Sequence, residues 1–331
     1  MNFQNIFQSL HDFFFIFFYF ILNMSLLVVG TMAFDTIETP FGKAERIVGG
    51  AATYICWAAS LLGVKQRVVS VVGEDFPITE LEKLNQANCD TSGVQIKKGE
   101  KSFFWAGRYH QNMIQRDTLQ TDLNVLADFD PVLPEHFRDS QYVLLGNLTP
   151  DVQMRVLDQL TVKPKLVVLD TMNFWMDIAM DSLKKVIARV DVLTINDDEA
   201  RQLSGEHSLV KAARAIRAMG PKTLIIKKGE HGALLFHEEG TFFAPALPLE
   251  EVFDPTGAGD TFAGGFIGYL AQLDNTSFEA MKSAIIYGSA IASFCVEAFG
   301  LESINKVSKA QLRERLFEFQ ALMHSGLVIN D

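Results

Sequence analysis

The chain predicts an α/β fold: a mostly parallel central sheet with helices on both faces, joined by a smaller β element. Three observations carry this. Short, unbroken apolar runs of strand length recur at residues 26–29, 68–72, 142–145, 166–169, 192–195 and 224–226, and a parallel strand covered on both faces needs such runs. Stretches of helix length separate most of them, as parallel crossovers require. Polar residues follow the run ends, at Asp35, Gly146-Asn147, Asp170 to Asn173, Asn196 to Glu199 and Lys227 to Gly229, and ligands of such sheets sit beyond the carboxyl ends of the strands.

In chain order, the first segment is discordant. Residues 13–22 are an unbroken aromatic and aliphatic run behind His11-Asp12. A spanning helix needs roughly 20 apolar residues, so this run alone is too short. It also lacks the basic start and small-residue cleavage site of a secretory signal. Extending it into residues 26–29 would consume the first core strand. Met24-Ser25-Leu26-Leu27-Val28-Val29-Gly30 reads as the start of the domain, so residues 1–23 are expected to be an upstream-start artefact or a disordered tail, with a membrane anchor as the lesser alternative. Further on, residues 37–48 and 95–121 break the alternation. They are rich in β-branched, aromatic and polar residues, with turn signals such as Lys98-Gly99-Glu100, and predict strands outside the main sheet. No repeat or low-complexity linker divides the rest, and residues 24–331 are expected to form one unit.

Composition narrows the function. A formal net charge of −11 argues against a nucleic-acid partner, which needs a basic face. Cys56, Cys89 and Cys295 have no metal-binding spacing and are odd in number, which fits a reducing, cytoplasmic setting.

The most informative run is Asp254-Pro255-Thr256-Gly257-Ala258-Gly259-Asp260 with the small-residue stretch 261–270 behind it. It sets Gly257-Ala258-Gly259 at a helix N-terminus, where the first amides have no intrahelical partner and the dipole favours negative charge. Small residues there let a phosphoryl group approach those amides. Asp260 falls in the first turn, where its carboxylate would repel a phosphate unless a substrate hydroxyl lay between them. The pattern reads as phosphoryl transfer, with the amides neutralising charge and Asp260 taking the proton of the attacking alcohol. The same residues also suit an ordinary turn and capped helix.

The string from Asp254 to Gly265 resembles the C-terminal signature of the ribokinase-like (PfkB) carbohydrate kinases. Val48-Gly49-Gly50-Ala51-Ala52, followed by a helical stretch and by Gly73-Glu74-Asp75, resembles that family's N-terminal signature. The resemblance covers nearly all of residues 24–331. It implies a ribokinase-like three-layer sandwich in which segments 37–48 and 95–121 form a small β lid, which excludes water and in many relatives pairs between subunits as a homodimer. It further implies ATP and Mg2+, with Asp260 as general base and Gly257, Ala258 and Gly259 as the anion hole.

The remaining site residues are carried by the same resemblance. Asn196 and Glu199 match the Asn-x-x-Glu motif, whose Glu holds Mg2+ through water; the spacing is equally a capping box, and both roles can coexist. Lys227, Gly229 and Gly232 match the nucleotide loop, whose sequence also suits a hairpin turn. Gly300 borders the expected adenine pocket, and Thr256 lies on the ATP side. Asp254 and Thr256 match positions that hold a monovalent cation in several relatives, which brings in K+. Asp35, with Gly49 and Gly50, matches the acceptor of sugar hydroxyls, and an ionised acceptor pair suits a vicinal diol; a turn Asp is the alternative. Asn147 and Asn173 are further substrate candidates by position. At Asp170-Thr171-Met172-Asn173-Phe174-Trp175 the chain lacks the Arg of many sugar kinases, which disfavours an acidic sugar there, and Phe174 and Trp175 suit stacking on a ring. A small sugar is the expected acceptor, with an adenosine-like nucleoside as rival and a non-catalytic sugar-binding regulator as the alternative from another class.

Overall fold

Burial alternates between two apolar clusters along β1 (Ser25–Val29): Leu26 and Val28 belong to one, Leu27 and Val29 to the other. The computed structural model describes residues 25–324; the extension 1–23 and the expectations placed on it lie outside the described residues. β8 (Tyr142–Leu145) repeats the pattern, with Tyr142 and Leu144 in one cluster and Val143 and Leu145 in the other. A strand buried on both faces must be apolar throughout, which is why these segments show no polar alternation.

The sheet that these strands centre has nine strands. It contains β1, β4 (Lys65–Gly73), β5 (Cys89–Lys97), β8, β9 (Leu166–Asp170), β10 (Val192–Asn196), β11 (Thr223–Lys227), β12 (Ala233–His237) and β13 (Gly240–Ala244). Their order is β13-β12-β11-β10-β9-β8-β1-β4-β5. The seven strands from β11 to β5 are parallel to their neighbours, and β12 and β13 close one edge antiparallel. All six expected strand runs fall in this sheet.

Helices cover both faces. Residues of α1 (Ala51–Ser60), α8 (Ala258–Leu273) and α9 (Phe278–Cys295) pack into the first cluster, together with Leu312 and Phe319 of α10 (Lys309–Met323). Residues of α3 (Pro150–Gln159), α4 (Asn173–Ile178), α5 (Met180–Ile187), α6 (Asp197–Ser204) and α7 (Leu209–Arg217) pack into the second. The short α2 (Ile78–Gln86) lies before the edge strand β5. Local signals set the helix starts: Thr149 accepts the Val152 amide ahead of Pro150, and Ser308 and Gln311 form a reciprocal capping box. The small-residue run after residue 260 has a packing cause. A methyl on Gly264 would stand 2.6 Å from the Ile55 carbonyl oxygen of α1, and one on Gly265 would stand 2.9 Å from Gly288 Cα of α9. No side chain fits at those two points of close approach.

A second sheet, β3-β2-β6-β7, stands apart from the first. It joins β2 (Ala33–Thr39), β3 (Gly42–Gly49), β6 (Phe103–Tyr109) and β7 (Arg116–Asp122), with β2 and β6 parallel at its centre and antiparallel outer pairs. These bounds correct the segments 37–48 and 95–121. The sheet begins earlier, at Ala33, and Asp35 lies within β2, while residues 95–97 belong to β5 of the main sheet. Pairing between β2 and β6, some seventy residues apart, extends β2 back almost to β1 and leaves no local signal.

Candidate active site

The carboxyl ends of β8, β9, β10 and β11 lie side by side, so chain order delivers Asn147, Asp170, Asn196 and Lys227 to one edge. Opposite them is the start of α8. Gly257 caps this helix with φ 76°, left-handed backbone that favours glycine, and a methyl there would lie 2.5 Å from the Tyr54 ring. The amides of Gly257, Gly259 and Asp260 make no hydrogen bond within the protein among the described residues, whereas the Ala258 amide donates to the Pro255 carbonyl oxygen at 3.2 Å. The expected amide trio is thereby modified: closure of the Pro255 turn occupies Ala258, and the open donors are its neighbours. Asp254 is buried and braces this loop. Its Oδ1 accepts the Thr256 amide and its Oδ2 the Gly300 amide, both at 2.9 Å.

Asp260 stands in the first turn of α8 and accepts no hydrogen bond among the described residues. Burial and the Asp170 carboxylate push its carboxyl up to about 7, against the pull of Lys227 and Arg116. Lys227 ends β11 and pairs with Asp170, its Nζ 2.9 Å from Oδ2 and 3.2 Å from Oδ1. The same Nζ lies 3.0 Å from where a Gly259 Cβ would be, so the ammonium borders the open amides. Glu199, on α6, is also buried, and desolvation raises its carboxyl to about 7. With Asn196 it forms the capping box, its Oε2 accepting the Asn196 amide at 2.7 Å and Asn196 Oδ1 accepting the Glu199 amide at 2.8 Å.

The other flank is built around Asp35, which is buried in β2. It accepts the Gly50 amide, and burial with the nearby Asp254 pushes its carboxyl up to about 7. Gly49 is required by contact: a Cβ there would lie 2.0 Å from Asp35 Oδ2. Tyr54, on the helix that Gly50 starts, lies under Gly257 with its hydroxyl buried and unpartnered among the described residues. Asn147 and Trp175 depart from expectation. The Trp175 indole is in the core and donates to Asn147 Oδ1 at 2.8 Å, while Asn147 Nδ2 donates to Met172 Sδ at 3.0 Å. Burial thus takes Trp175 away from stacking on a ligand, and Asn147 is engaged in holding it. Phe174 remains 46% exposed, its ring 4.9 Å edge-on from Trp175, and Asn173 is exposed at the start of α4.

On the far side, Gly229 forms the short turn after β11 with φ 54°, and Gly232 packs against the backbone of Ala244 and Ala246. Gly300 is tied to Asp254 as described, while Ala290, Ile291, Phe294 and Cys295 ahead of it are core. The sequence did not reveal Asp170, Tyr54, Tyr109 or Arg116 as site residues. Tyr109 ends β6, and its hydroxyl bonds Thr256 Oγ1 at 3.2 Å, so the second sheet touches the amide-lined loop. Asp170 had a signal in its position at a strand end. Tyr54 and Tyr109 meet the loop only through tertiary contact, and Arg116 stands opposite Tyr109 on β7.

Together these features bring open amides, a bordering ammonium and a carboxylate to one helix start, an arrangement suited to phosphoryl transfer. Residues 24–307 match the pfkB family carbohydrate kinase, and the chain belongs to that family. It is 33% identical over 255 residues to a cytidine kinase of Thermococcus kodakarensis, covering 74% of this chain and 87% of that protein. It is 26% identical over 304 residues to a nucleoside kinase of Methanothermobacter thermautotrophicus, covering 85% and 92%. Among solved structures, Methanocaldococcus jannaschii nucleoside kinase superposes with TM-score 0.71 at 20% identity, covering 89% of this chain and 98% of that one. An Escherichia coli structure holding ATP and Mg2+ gives TM-score 0.74 at 18% identity, covering 89% and 99%. The fold is ribokinase-like, and the protein is a kinase that transfers a phosphoryl group to a hydroxyl of a sugar or nucleoside, with the ATP and Mg2+ that such kinases use. Among the described residues no helix is long and apolar enough to cross a membrane.

Proposed function

We propose that the acceptor is a nucleoside and that its primary hydroxyl is phosphorylated. The observation that carries this over a free sugar is the 33% identity to a cytidine kinase across 87% of that protein. The site is in keeping with it. Asp35, beside the bare Gly49 and Gly50, offers an acceptor for a vicinal diol that ribosides and free sugars share. Discrimination then falls to the aglycone, and the exposed Phe174 is an apolar ring in the first turn of α4, just past β9, where no arginine stands. A free-sugar acceptor is the second reading, favoured by 27% identity over 254 residues to a 2-dehydro-3-deoxygluconokinase of Thermoproteus tenax.

In this reading Asp260 accepts the proton of the attacking hydroxyl, and its raised carboxyl is poised near neutrality for that task. The open amides of Gly257 and Gly259 stabilise the charge on the group in transit, with Lys227 beside them held in place by Asp170. The donor set fits a hydrated Mg2+: Glu199 presents a carboxylate whose Oε2 is already oriented by an amide, and no cluster of three acidic, His or Cys ligands is found among the described residues. Mg2+ supplies charge neutralisation on the nucleotide phosphates. The proposal also places ATP along Thr256, Gly229, Gly232 and Gly300, and a monovalent cation such as K+ at Asp254. It sets the protein in the reducing cytoplasm, in keeping with three unbridged buried thiols. A homodimer through the second sheet is part of it, since the outer strand β7 is largely exposed.

The test is a panel of acceptors with Mg·ATP and the full chain: cytidine, uridine, adenosine and inosine beside D-ribose and 2-dehydro-3-deoxygluconate. The reading expects kcat/KM for one nucleoside at least about tenfold above any free sugar. The reverse ranking assigns the acceptor to the sugars.

A further inference from the structure

We propose that Tyr109 of the second sheet is a positioning residue for phosphoryl transfer: through its hydrogen bond with Thr256 it makes the geometry of the open amides depend on that sheet being in place. This rests on the kinase activity of the family and on those amides, and not on which acceptor is used.

Thr256 directly precedes Gly257, and all three of its polar groups are tethered. Its amide donates to Asp254 Oδ1 at 2.9 Å, its carbonyl oxygen accepts the Cys295 thiol of α9 at 3.6 Å, and its hydroxyl donates to the Tyr109 phenol oxygen at 3.2 Å. The third is the one hydrogen bond that joins the second sheet to residues 253–260 among the described residues. Strand alternation aims the phenol there. Arg108, one residue earlier, faces outward and pairs with Glu38 of β2 at 2.9 Å, so Tyr109 points to the opposite side of the sheet, where it is buried. Burial also raises the phenol above its ordinary value, so it stays a neutral hydroxyl. Apolar contacts run beside it: the Phe41 and Phe253 rings stand 4.9 Å apart, and a methyl on Gly300 would lie 2.6 Å from Ile47 Cδ1. Apolar packing tolerates sliding, whereas a hydrogen bond weakens steeply with angle and distance, so the phenol fixes the placement that the apolar contacts leave loose.

Either the acceptor hydroxyl or water can bond the γ phosphorus. In both cases the bond to the β–γ bridging oxygen breaks, ADP keeps the electron pair and the proton of the attacking oxygen passes to Asp260. Loss of the phenol oxygen frees the Thr256 hydroxyl and leaves the second sheet on the loop by apolar contact alone. Transfer to the acceptor, which needs the sheet seated and water excluded, then suffers more than transfer to water.

The experiment compares the full-length protein with Tyr109→Phe, which removes only the phenol oxygen, with Thr256→Val, which removes the hydroxyl it meets, and with the double variant. The acceptor is whichever the wild type converts best, and ATP hydrolysis without acceptor is measured in parallel. Failure of the nucleoside reading therefore shows in the wild-type ranking of acceptors and leaves this comparison intact. Tyr109→Phe is expected to lower kcat about fivefold, the effect of one hydrogen bond between neutral groups. KM for the acceptor should change less than about twofold, and the ratio of ATP hydrolysis to acceptor phosphorylation should rise at least about threefold. The double variant should be no slower than Thr256→Val alone, because the bond is already lost there. A Tyr109→Phe protein with wild-type kcat and wild-type ratio overturns the proposal, as does a double variant about fivefold slower than Thr256→Val, which would make the two side chains independent. A lowered kcat with an unchanged ratio and a lowered thermal midpoint also overturns it and would leave the phenol a packing residue.

Discussion

Asp170 shows how much one side chain sets in this site. It is 5% exposed at the end of β9 and holds Lys227, whose side chain is 18% exposed, by two contacts of 2.9 and 3.2 Å. A buried pair adds little over an apolar replacement, but removing one member strands the other charge. Asp170→Asn is therefore expected to lower the unfolding free energy by about 3–5 kcal/mol, read by urea denaturation, and Asp170→Asn with Lys227→Met should recover a large part of that loss. A single-variant cost within about 0.5 kcal/mol of zero would show that the pair carries no coupling of this kind. The same scale explains which site residues could be read in advance. Gly257, Gly259 and Asp260 sit in one contiguous string whose local geometry, a left-handed cap and a first helical turn, follows from the residues themselves. Ala258 was expected among the open amides, and it is Pro255, three residues earlier, that closes onto it.

At the scale of elements, the apolar runs of the parallel strands were legible because burial on both faces removes the ambiguity of alternation. The capping box of α6 was legible as a spacing, and the structure contains it alongside a buried Glu199 carboxyl, so the structural and ligand readings of that motif occupy the same residues. The second sheet was harder. Its strands were visible as β-rich segments, yet their bounds depend on β2 pairing with β6 and on Gln95 to Lys97 continuing the main sheet beside β4. Trp175 illustrates the same limit. An aromatic pair after a strand end suits a ligand platform, but α4 turns the indole into the core beneath Asn147 and leaves only Phe174 outward. Nothing within six residues of sequence separates those two outcomes.

For the whole molecule, the site is a concentration of buried acid. Asp35, Glu199 and Asp260 come from β2, α6 and α8, and burial raises each to about 7. An acid whose folded value lies above its unfolded value binds its proton more tightly in the folded state, so its contribution to stability is present at low pH and lost as pH rises through the folded value. These three groups thus favour the folded ligand-free protein near pH 4 and withdraw that support between about pH 4 and 7. Asp75 and Asp90, which are held below the usual carboxylate range, act in the opposite sense at lower pH. Thermal midpoints of the ligand-free protein at fixed ionic strength should decline between pH 5 and 7.5 more steeply in wild type than in Asp35→Asn/Glu199→Gln/Asp260→Asn. Equal slopes would show that burial does not load these carboxyls as described. Strand order, which brings Asp170, Asn196 and Lys227 to one edge from three separate crossovers, was legible only as a general property of parallel sheets.

The central claim is that Asp260 takes the acceptor proton at the start of α8. The most direct measurement is the single-turnover rate of phosphoryl transfer from Mg·ATP by Asp260→Asn, on whichever acceptor the wild type converts best, with ATP affinity determined in parallel. Loss of a positioned general base predicts a fall of about 10²–10⁴-fold with ATP affinity retained. A variant that transfers the phosphoryl group at close to the wild-type rate would contradict it.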